Sequence, residues 1–476
     1  MNYDVTIGIE IHLELKTKTK MFSSAPSVYA SQANSACTVI DLAHPGTLPT
    51  VNKEAVRKAI LACLAFDLKI DNLIRFDRKN YYYSDLPKGY QITQQFYPIG
   101  KDGKLEFEVD GENYIVGIER IHMEEDTAKQ FHLENETLID FNRAGTPLIE
   151  IVSKPDMTSG KQARAYLENL RRNLVYIGVS DAKMEEGSMR CDVNISLKPK
   201  GSKKLGTKVE IKNLNSINNV EKAIEYEILR QSTLLDNNEL VTQSTRRYDE
   251  NSKETILMRK KEGVVDYKFF PEPNIPIIKL EDKFINDLKL TLPELVNDKK
   301  IRYQNEYHLD NKSIEYLLDN ILVANYFEEI VKLGKNYKVY YNFITSELMS
   351  ILNADKININ ESKISPNNLF ELINLIENKE ISNKQAKEIL LLMKDGTKAK
   401  VIVEEKGYKQ NSDDTLIKEL VNQVLAQNEQ SIIDYHNGKD KALGFIVGQV
   451  MKLSKGQANP ALTSQIVKEE FIKRKP

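Results

Sequence analysis

Cysteine is scarce. The three thiols, Cys37, Cys63 and Cys191, are far apart in sequence and form no CxxC pair. That supports neither a disulfide framework nor a thiolate zinc site, and it points to a reducing compartment. No apolar run is long enough to cross a bilayer. Neither GxxxxGK[ST] nor GxGxxG occurs, so a glycine-rich backbone cradle for phosphate is missing. Charge of one sign is also lacking. The 67 Lys and Arg against 69 Asp and Glu give a net charge of -2, which excludes a global positive field; contact with RNA must come from local patches. The segment Met1-Asn2-Tyr3-Asp4 enters a strand pattern with no charged-then-apolar leader. A cytoplasmic location is therefore expected.

What is present is a soluble composition, 41% hydrophobic and 29% charged, on 476 residues. That length exceeds one hydrophobic core. Strand patterns with interspersed helices fill residues 1–292, an α+β arrangement. Helices are expected from Asn52 to Phe66, over 158–177, and from Asn218 to Leu235. Lys101-Asp102-Gly103-Lys104 and Val109-Asp110-Gly111-Glu112 read as turns. The proline-rich stretch Phe270 to Pro276 closes this region. Residues 293–406 read as helical, with caps at Ser365-Pro366 and Ser382-Asn383. The pattern breaks near Lys406-Gly407-Tyr408-Lys409-Gln410, and 407–476 read as a small helical tail. There Leu416, Leu420, Val421 and Val424, then Leu443, Ile446, Val447 and Val450, are expected on the buried face.

Four polar clusters carry the chemistry. In Gly8-Ile9-Glu10-Ile11-His12-Leu13-Glu14, strand alternation puts Val5, Ile7, Ile9, Ile11 and Leu13 on one face. Glu10, His12 and Glu14 fall on the other, as a metal site can use. The run Glu124-Glu125-Asp126 needs cations or solvent to offset its repulsion; a solvated loop explains it equally well. Glu150, flanked by Leu148, Ile149, Ile151 and Val152, either pairs with a base such as Arg143 or binds a cation. The last cluster sets Arg190, Asp192 and Asn194 on one strand face and Glu210 and Lys212 on another. Carboxylates there can hold a divalent cation while Arg and Lys meet phosphate oxygens. Cross-strand ion pairing on a solvated sheet is the plainer alternative. Magnesium prefers oxygen ligands, which favours Glu10, Glu125, Glu150 and Glu210; His12 as a nitrogen ligand suits manganese more. The segment from Arg78 to Gln94 interleaves Lys79, Tyr81, Tyr82, Tyr83 and Lys88, a composition able to stack on bases, or else an exposed hairpin.

These strings, with Asp85-Leu86-Pro87-Lys88-Gly89-Tyr90, Asn142 to Val152, Glu210 to Asn215 and Lys455 to Pro460, closely resemble the B-subunit family of tRNA-dependent amidotransferases. The resemblance covers nearly the whole chain. It implies a cradle-shaped domain with a site similar to that of glutamine synthetase, then a helical domain and a tail that binds the tRNA elbow. It implies ATP-dependent phosphorylation of the side-chain carboxylate of misacylated glutamyl-tRNA(Gln) or aspartyl-tRNA(Asn), then displacement of phosphate by ammonia. By position, Glu10, His12, Glu125 and Glu150 would hold Mg²⁺, with Mn²⁺ as an alternative. Lys79, Arg190, Asp192 and Glu210 would complete the catalytic set, with Lys79, Arg190 and Lys212 at the nucleotide. The chain lacks the Gly-Gly-Ser-Ser-Gly run of amidases, so ammonia must come from an amidase A subunit, with a small C subunit completing a heterotrimer. The cognate aminoacyl-tRNA synthetase is a further candidate partner. Many relatives carry a zinc-binding C-P-x-C; here Cys37-Thr38-Val39-Ile40 has lost the second thiolate, so no zinc is expected. Lys452, Lys455, Lys468, Lys473, Arg474 and Lys475 give the tail a basic character suited to RNA backbone or to ordinary solvated helix faces. A free-standing carboxylate ligase and a non-catalytic RNA scaffold are the competing readings.

Overall fold

The structure is a computed structural model that describes residues 3–29, 32–260, 266–408, 414–439, 441–454 and 457–474. Lys409, Gln410, Lys455, Gly456 and Lys475 lie outside the described residues. The chain divides into two compact units, Met1–Lys299 and Lys300–Pro476.

The first unit is built on one nine-stranded sheet. Its strands are β1 (Tyr3–Glu14), β2 (Lys69–Ile70), β3 (Gly100–Val109), β4 (Glu112–Glu125), β5 (Pro147–Ser153), β6 (Met189–Pro199), β7 (Val209–Lys212), β8 (Ser244–Asp249) and β9 (Glu254–Lys260). The order across the sheet is β9-β8-β7-β6-β1-β5-β4-β3-β2. Every pairing is antiparallel except β7 with β8, which are joined by a helical crossover as parallel neighbours require.

The apolar half of each alternating strand faces helices. Ile7, Ile9, Ile11 and Leu13 of β1 are almost fully buried. They share a core with Leu167, Leu170 and Leu174 of α2 (Gly160–Tyr176) and with Val220, Ala223 and Ile224 of α3 (Ile217–Asp236). α1 (Lys53–Ala65) joins the same core through Ala59, Ile60 and Cys63. Each of the three helices starts where a side-chain oxygen satisfies free backbone N–H groups: Asn52, Ser159 and Ser216 are the N-caps. With one sheet face covered, the other is free to carry polar groups.

The turn at Asp110-Gly111 is a two-residue hairpin between β3 and β4, with both residues at positive φ. The turn expected at Lys101-Asp102-Gly103-Lys104 is not one. β3 runs straight through it, and only Asp102 takes a left-handed φ of 56°. Gly103 is there for close packing: a Cβ would lie 2.5 Å from the Phe66 carbonyl oxygen.

The second unit is helical. Ser365 caps Pro366–Glu377, and Ser382 with Gln385 forms a capping box on Asn383–Leu392. Four further helices, Asp414–Gln427, Glu429–His436, Lys441–Leu453 and Pro460–Lys473, enclose a core of their own around Val421, Ile446, Val450, Val467 and Phe471. Ile417, not Leu416, is buried there; Leu416 is 46% exposed. The buried stripe runs through 417, 421, 424 and 425 and leaves 416 one position off it.

Candidate active site

Register across the four central strands decides the site. Residues directly opposite each other in antiparallel strands share a face. His122 of β4 lies opposite Glu150 of β5, Glu150 opposite His12 of β1, and His12 opposite Arg190 of β6. Four segments far apart in sequence thus form one transverse row of imidazole, carboxylate, imidazole and guanidinium.

Glu124, two residues beyond His122 on the same face, completes the group. His12 Nε2 lies 3.4 Å from Glu124 Oε1 and 3.4 Å from Glu150 Oε2. His122 Nε2 lies 3.1 Å from Glu150 Oε2 and 3.7 Å from Glu124 Oε2. One ligand atom each from His12, Glu124 and Glu150 falls within 4.8 Å of the others. Burial alone would push His122 down, but the charges and hydrogen bonds of Glu150 and Glu124 outweigh it and hold it up at about 9. His12 is raised by the same two carboxylates against its own burial. Burial would raise Glu150, yet His122 and His12 carry it well below the usual carboxylate range; Glu124 is lowered likewise.

The acidic run Glu124-Glu125-Asp126 is not a solvated loop. All three residues are buried, and each meets a different cation. Glu124 faces the two histidines. Glu125 points to the opposite side of β4, where Lys88 Nζ donates to Oε2 at 2.6 Å and the Ile92 backbone N–H donates at 3.0 Å. Asp126 accepts from Arg190 Nη2 at 2.6 Å and lies 3.3 Å from Arg143 Nε. Glu125, expected from sequence among the metal ligands, therefore faces away from the group, and Glu124 stands there instead, because adjacent strand residues point to opposite faces. Arg143 pairs with Asp126, leaving Glu150 to the histidines. Glu10 is on the same face of β1, but its carboxylate accepts from Asn194 Nδ2 at 2.9 Å and stands outside the group of three.

Beside the group lies a cavity of about 490 Å³, within the size range of small-ligand sites. His12, Glu124, Asp126 and Arg190 line one part, and Asp192, Lys212 and Asn213 another. Lys212 bridges Asp192 and Glu210, and Glu210 also accepts from Thr245 Oγ1 at 2.8 Å. Burial disfavours the Lys212 charge, but the two carboxylates outweigh it and raise its pKa. Lys79 enters the same cavity, 4.9 Å above the Tyr267 ring and 5.6 Å from that of Tyr81.

From Tyr81 a ledge of edge-on rings leads outward: Tyr81 against Tyr267, Tyr267 against Phe269, and Phe269 against Phe96. Tyr82 and Tyr83 beside it are 90% and 64% exposed. Arg75 stacks 3.6 Å over Tyr97. Flat rings alternating with cations suit unpaired bases and their phosphates.

Residues 5–286 match the family described as GatB/GatE catalytic domain, and residues 325–471 match that described as GatB domain. Over 475 residues, spanning 100% of both chains, the sequence is 48% identical to the B subunit of the aspartyl/glutamyl-tRNA(Asn/Gln) amidotransferase of Staphylococcus aureus strain JH9. The same protein of strain Newman matches equally. The chain belongs to the GatB/GatE family. The span matching the GatB/GatE catalytic domain holds every residue of the row and of the cavity.

Sequence reasoning left Glu124, His122, Asp126 and Asn213 out of the site. A signal existed for the first two: Ile121 and Met123 are apolar, and period two places His122 and Glu124 opposite them. Asn213, at a left-handed φ of 63°, ends β7 in a conformation that Asn tolerates.

Proposed function

We propose that the chain is the activating subunit of a tRNA-dependent amidotransferase. It uses ATP to phosphorylate the side-chain carboxylate of misacylated glutamyl-tRNA(Gln) or aspartyl-tRNA(Asn), and ammonia then replaces the phosphate. The observation that carries the reading is the group His12, Glu124 and Glu150 beside a cavity walled by Arg190, Lys79 and Lys212. Family membership supports it, as does the name of the relatives, the B subunit of an aspartyl/glutamyl-tRNA(Asn/Gln) amidotransferase.

The residues present fit a divalent ion. One buried carboxylate, one partly buried carboxylate and an imidazole offer converging donors, a mixed set that both Mg²⁺ and Mn²⁺ accept. His12, Glu124 and Glu150 would hold it; when bound it neutralises phosphoryl charge. The rest of the chemistry belongs to the chain. A carboxylate is a poor acyl donor because its leaving group would be an oxide. Attack of a carboxylate oxygen on the terminal phosphorus of ATP forms the acyl phosphate and releases ADP. Ammonia then adds to the acyl carbon, and phosphate leaves with the C–O bond electrons. Arg190, Lys79 and Lys212, which line the same cavity, would offset the charge on the phosphates. Arg190 is oriented by Asp126, and Lys212 by Asp192 and Glu210.

In this reading residues 1–292 carry the activating site in a cradle like that of glutamine synthetase, 293–406 form a helical spacer, and 407–476 contact tRNA. The exposed Tyr82 and Tyr83 receive the unpaired 3′ end. An amidase subunit supplies ammonia and a small third subunit completes the complex, which works in the cytoplasm without zinc. No described helix is long and apolar enough to cross a membrane.

The test is amide formation on glutamyl- or aspartyl-tRNA by the assembled enzyme, with ATP and ammonium chloride. Product that requires ATP and falls at least 100-fold in Glu150→Gln supports the reading. Product formed equally without ATP ends it.

A further inference from the structure

Glu14 lies two residues beyond His12 on the same face of β1, about 7 Å along the strand. It lines a second cavity of about 280 Å³. Asp126 and Arg190 line the first cavity, Arg143 lines the second, and both arginines meet the Asp126 carboxylate, so the two cavities adjoin.

The other charged groups of the second cavity are engaged. Arg143 is turned to Asp126, and Glu186 accepts from Lys183 at 2.7 Å. Asp140 accepts the backbone N–H groups of Asn34 and Asn142, and Lys129 sits 4.7 Å over the Phe131 ring. Glu14 differs. Its half-buried carboxylate accepts from the Tyr29 hydroxyl at 3.0 Å and makes no ion pair among the described residues. A carboxylate has about four acceptor positions, so most of its capacity faces the cavity.

We propose that Glu14 binds the free α-ammonium of the aminoacyl group whose side-chain carboxylate is activated at the neighbouring site, a claim that rests on the function proposed above. The lengths agree. In an extended glutamyl group the α-nitrogen and the side-chain carboxylate are about 5 Å apart by standard bond lengths. A carboxylate seated beside His12 and Glu150 therefore brings the ammonium within reach of Glu14, in a charge-assisted contact. The subsite excludes esters whose α-amine is already acylated, which keeps peptidyl-tRNA out of the reaction.

The experiment uses the assembled enzyme and glutamyl-tRNA with a free or an N-acetylated α-amine. Wild type is expected to lose about 10- to 100-fold in kcat/KM on acetylation, the worth of one hydrogen-bonded charge contact. Glu14→Gln should lose a similar factor on the free amine and then discriminate little between the two substrates. If Glu14→Gln keeps the wild-type acetylation penalty, or amidates the free amine with wild-type kcat/KM, the subsite is overturned while the activity stands. If wild type amidates neither aminoacyl-tRNA, the activity reading falls and the subsite with it. Should Glu14→Gln not fold, Tyr29→Phe serves, since Tyr29 is 72% exposed. A rise in KM confined to the free-amine substrate supports the subsite, and equal losses on both substrates overturn it.

Discussion

Glu124 and Glu125 are adjacent in sequence, equally buried and chemically identical, yet the structure gives them different work. That makes them a sharp test of the strand register. Glu124→Gln removes one of two carboxylates from the group with His12 and Glu150. Losing a group that merely orients a metal ligand typically costs 10- to 100-fold in affinity, so losing a charged ligand should cost at least about 100-fold, or about 3 kcal/mol. The proper control removes Glu125 without changing net charge. Lys88→Gln with Glu125→Gln deletes both members of the pair on the far side of β4. Its effect on metal affinity should stay within about threefold, as expected of a substitution that shares no partner with the ligands. The assay is calorimetric titration of Mn²⁺ into the metal-free protein for each variant. Comparable losses in the two variants, or a larger loss in the double variant, would show that the face assigned to Glu124 is wrong.

Without metal, His122 is raised to about 9 from an ordinary 6.5, so its stabilising effect is complete below about pH 6.5 and fades as pH climbs through 9. Glu150 is lowered from 4.5, so its effect is complete above about pH 4.5 and fades as pH falls further. The melting-temperature difference between wild type and His122→Gln in chelator should thus be largest between about pH 4.5 and 6.5; a difference that grows toward pH 9 would contradict the pairing. Glu227, with 0% exposure, meets Arg230, Gln231, Arg246 and Thr255. Glu227→Ala deprives the partly buried Arg230 and Arg246 of their shared carboxylate and should cost about 1.5–3 kcal/mol by urea denaturation; a cost under 1 kcal/mol would refute that. Tyr82→Ala and Tyr83→Ala should change stability by no more than about 0.5 kcal/mol. Each should nonetheless weaken binding of aminoacyl-tRNA by about 1–3 kcal/mol in a filter-binding assay if its ring stacks on a terminal base. Unchanged affinity, with loss of amidase-subunit binding instead, would make the ledge a protein interface.

The legible part of the site was its alternation. Ile7, Ile9 and Ile11 told of a buried face, so Glu10, His12 and Glu14 had to share the other. The same pattern marked Glu150 between Ile149 and Ile151, and Arg190 and Asp192 around Cys191. Two helix starts were legible for a similar reason, because Ser365 and Ser382 act on backbone groups three residues away. The assignment failed where a strand ends. Ile121 and Met123 set the phase that puts Glu124 on the polar face, but the alternation was not carried to the end of the strand, and Glu125 was preferred to Glu124. In the tail, Leu416 and Ile417 are equally apolar, and only packing chose Ile417.

The order of residues along the chain by itself determined which side chains face away from the core, because that depends on the two-residue period of each strand. It determined also that no glycine-rich phosphate cradle of the GxxxxGK[ST] or GxGxxG kind is encoded. Which polar faces meet was decided by tertiary structure alone. Sheet order and register, set by the packing of three helices against one face, align His122, Glu150, His12 and Arg190 across four strands. Nothing local to residue 12, 122, 150 or 190 specifies that line.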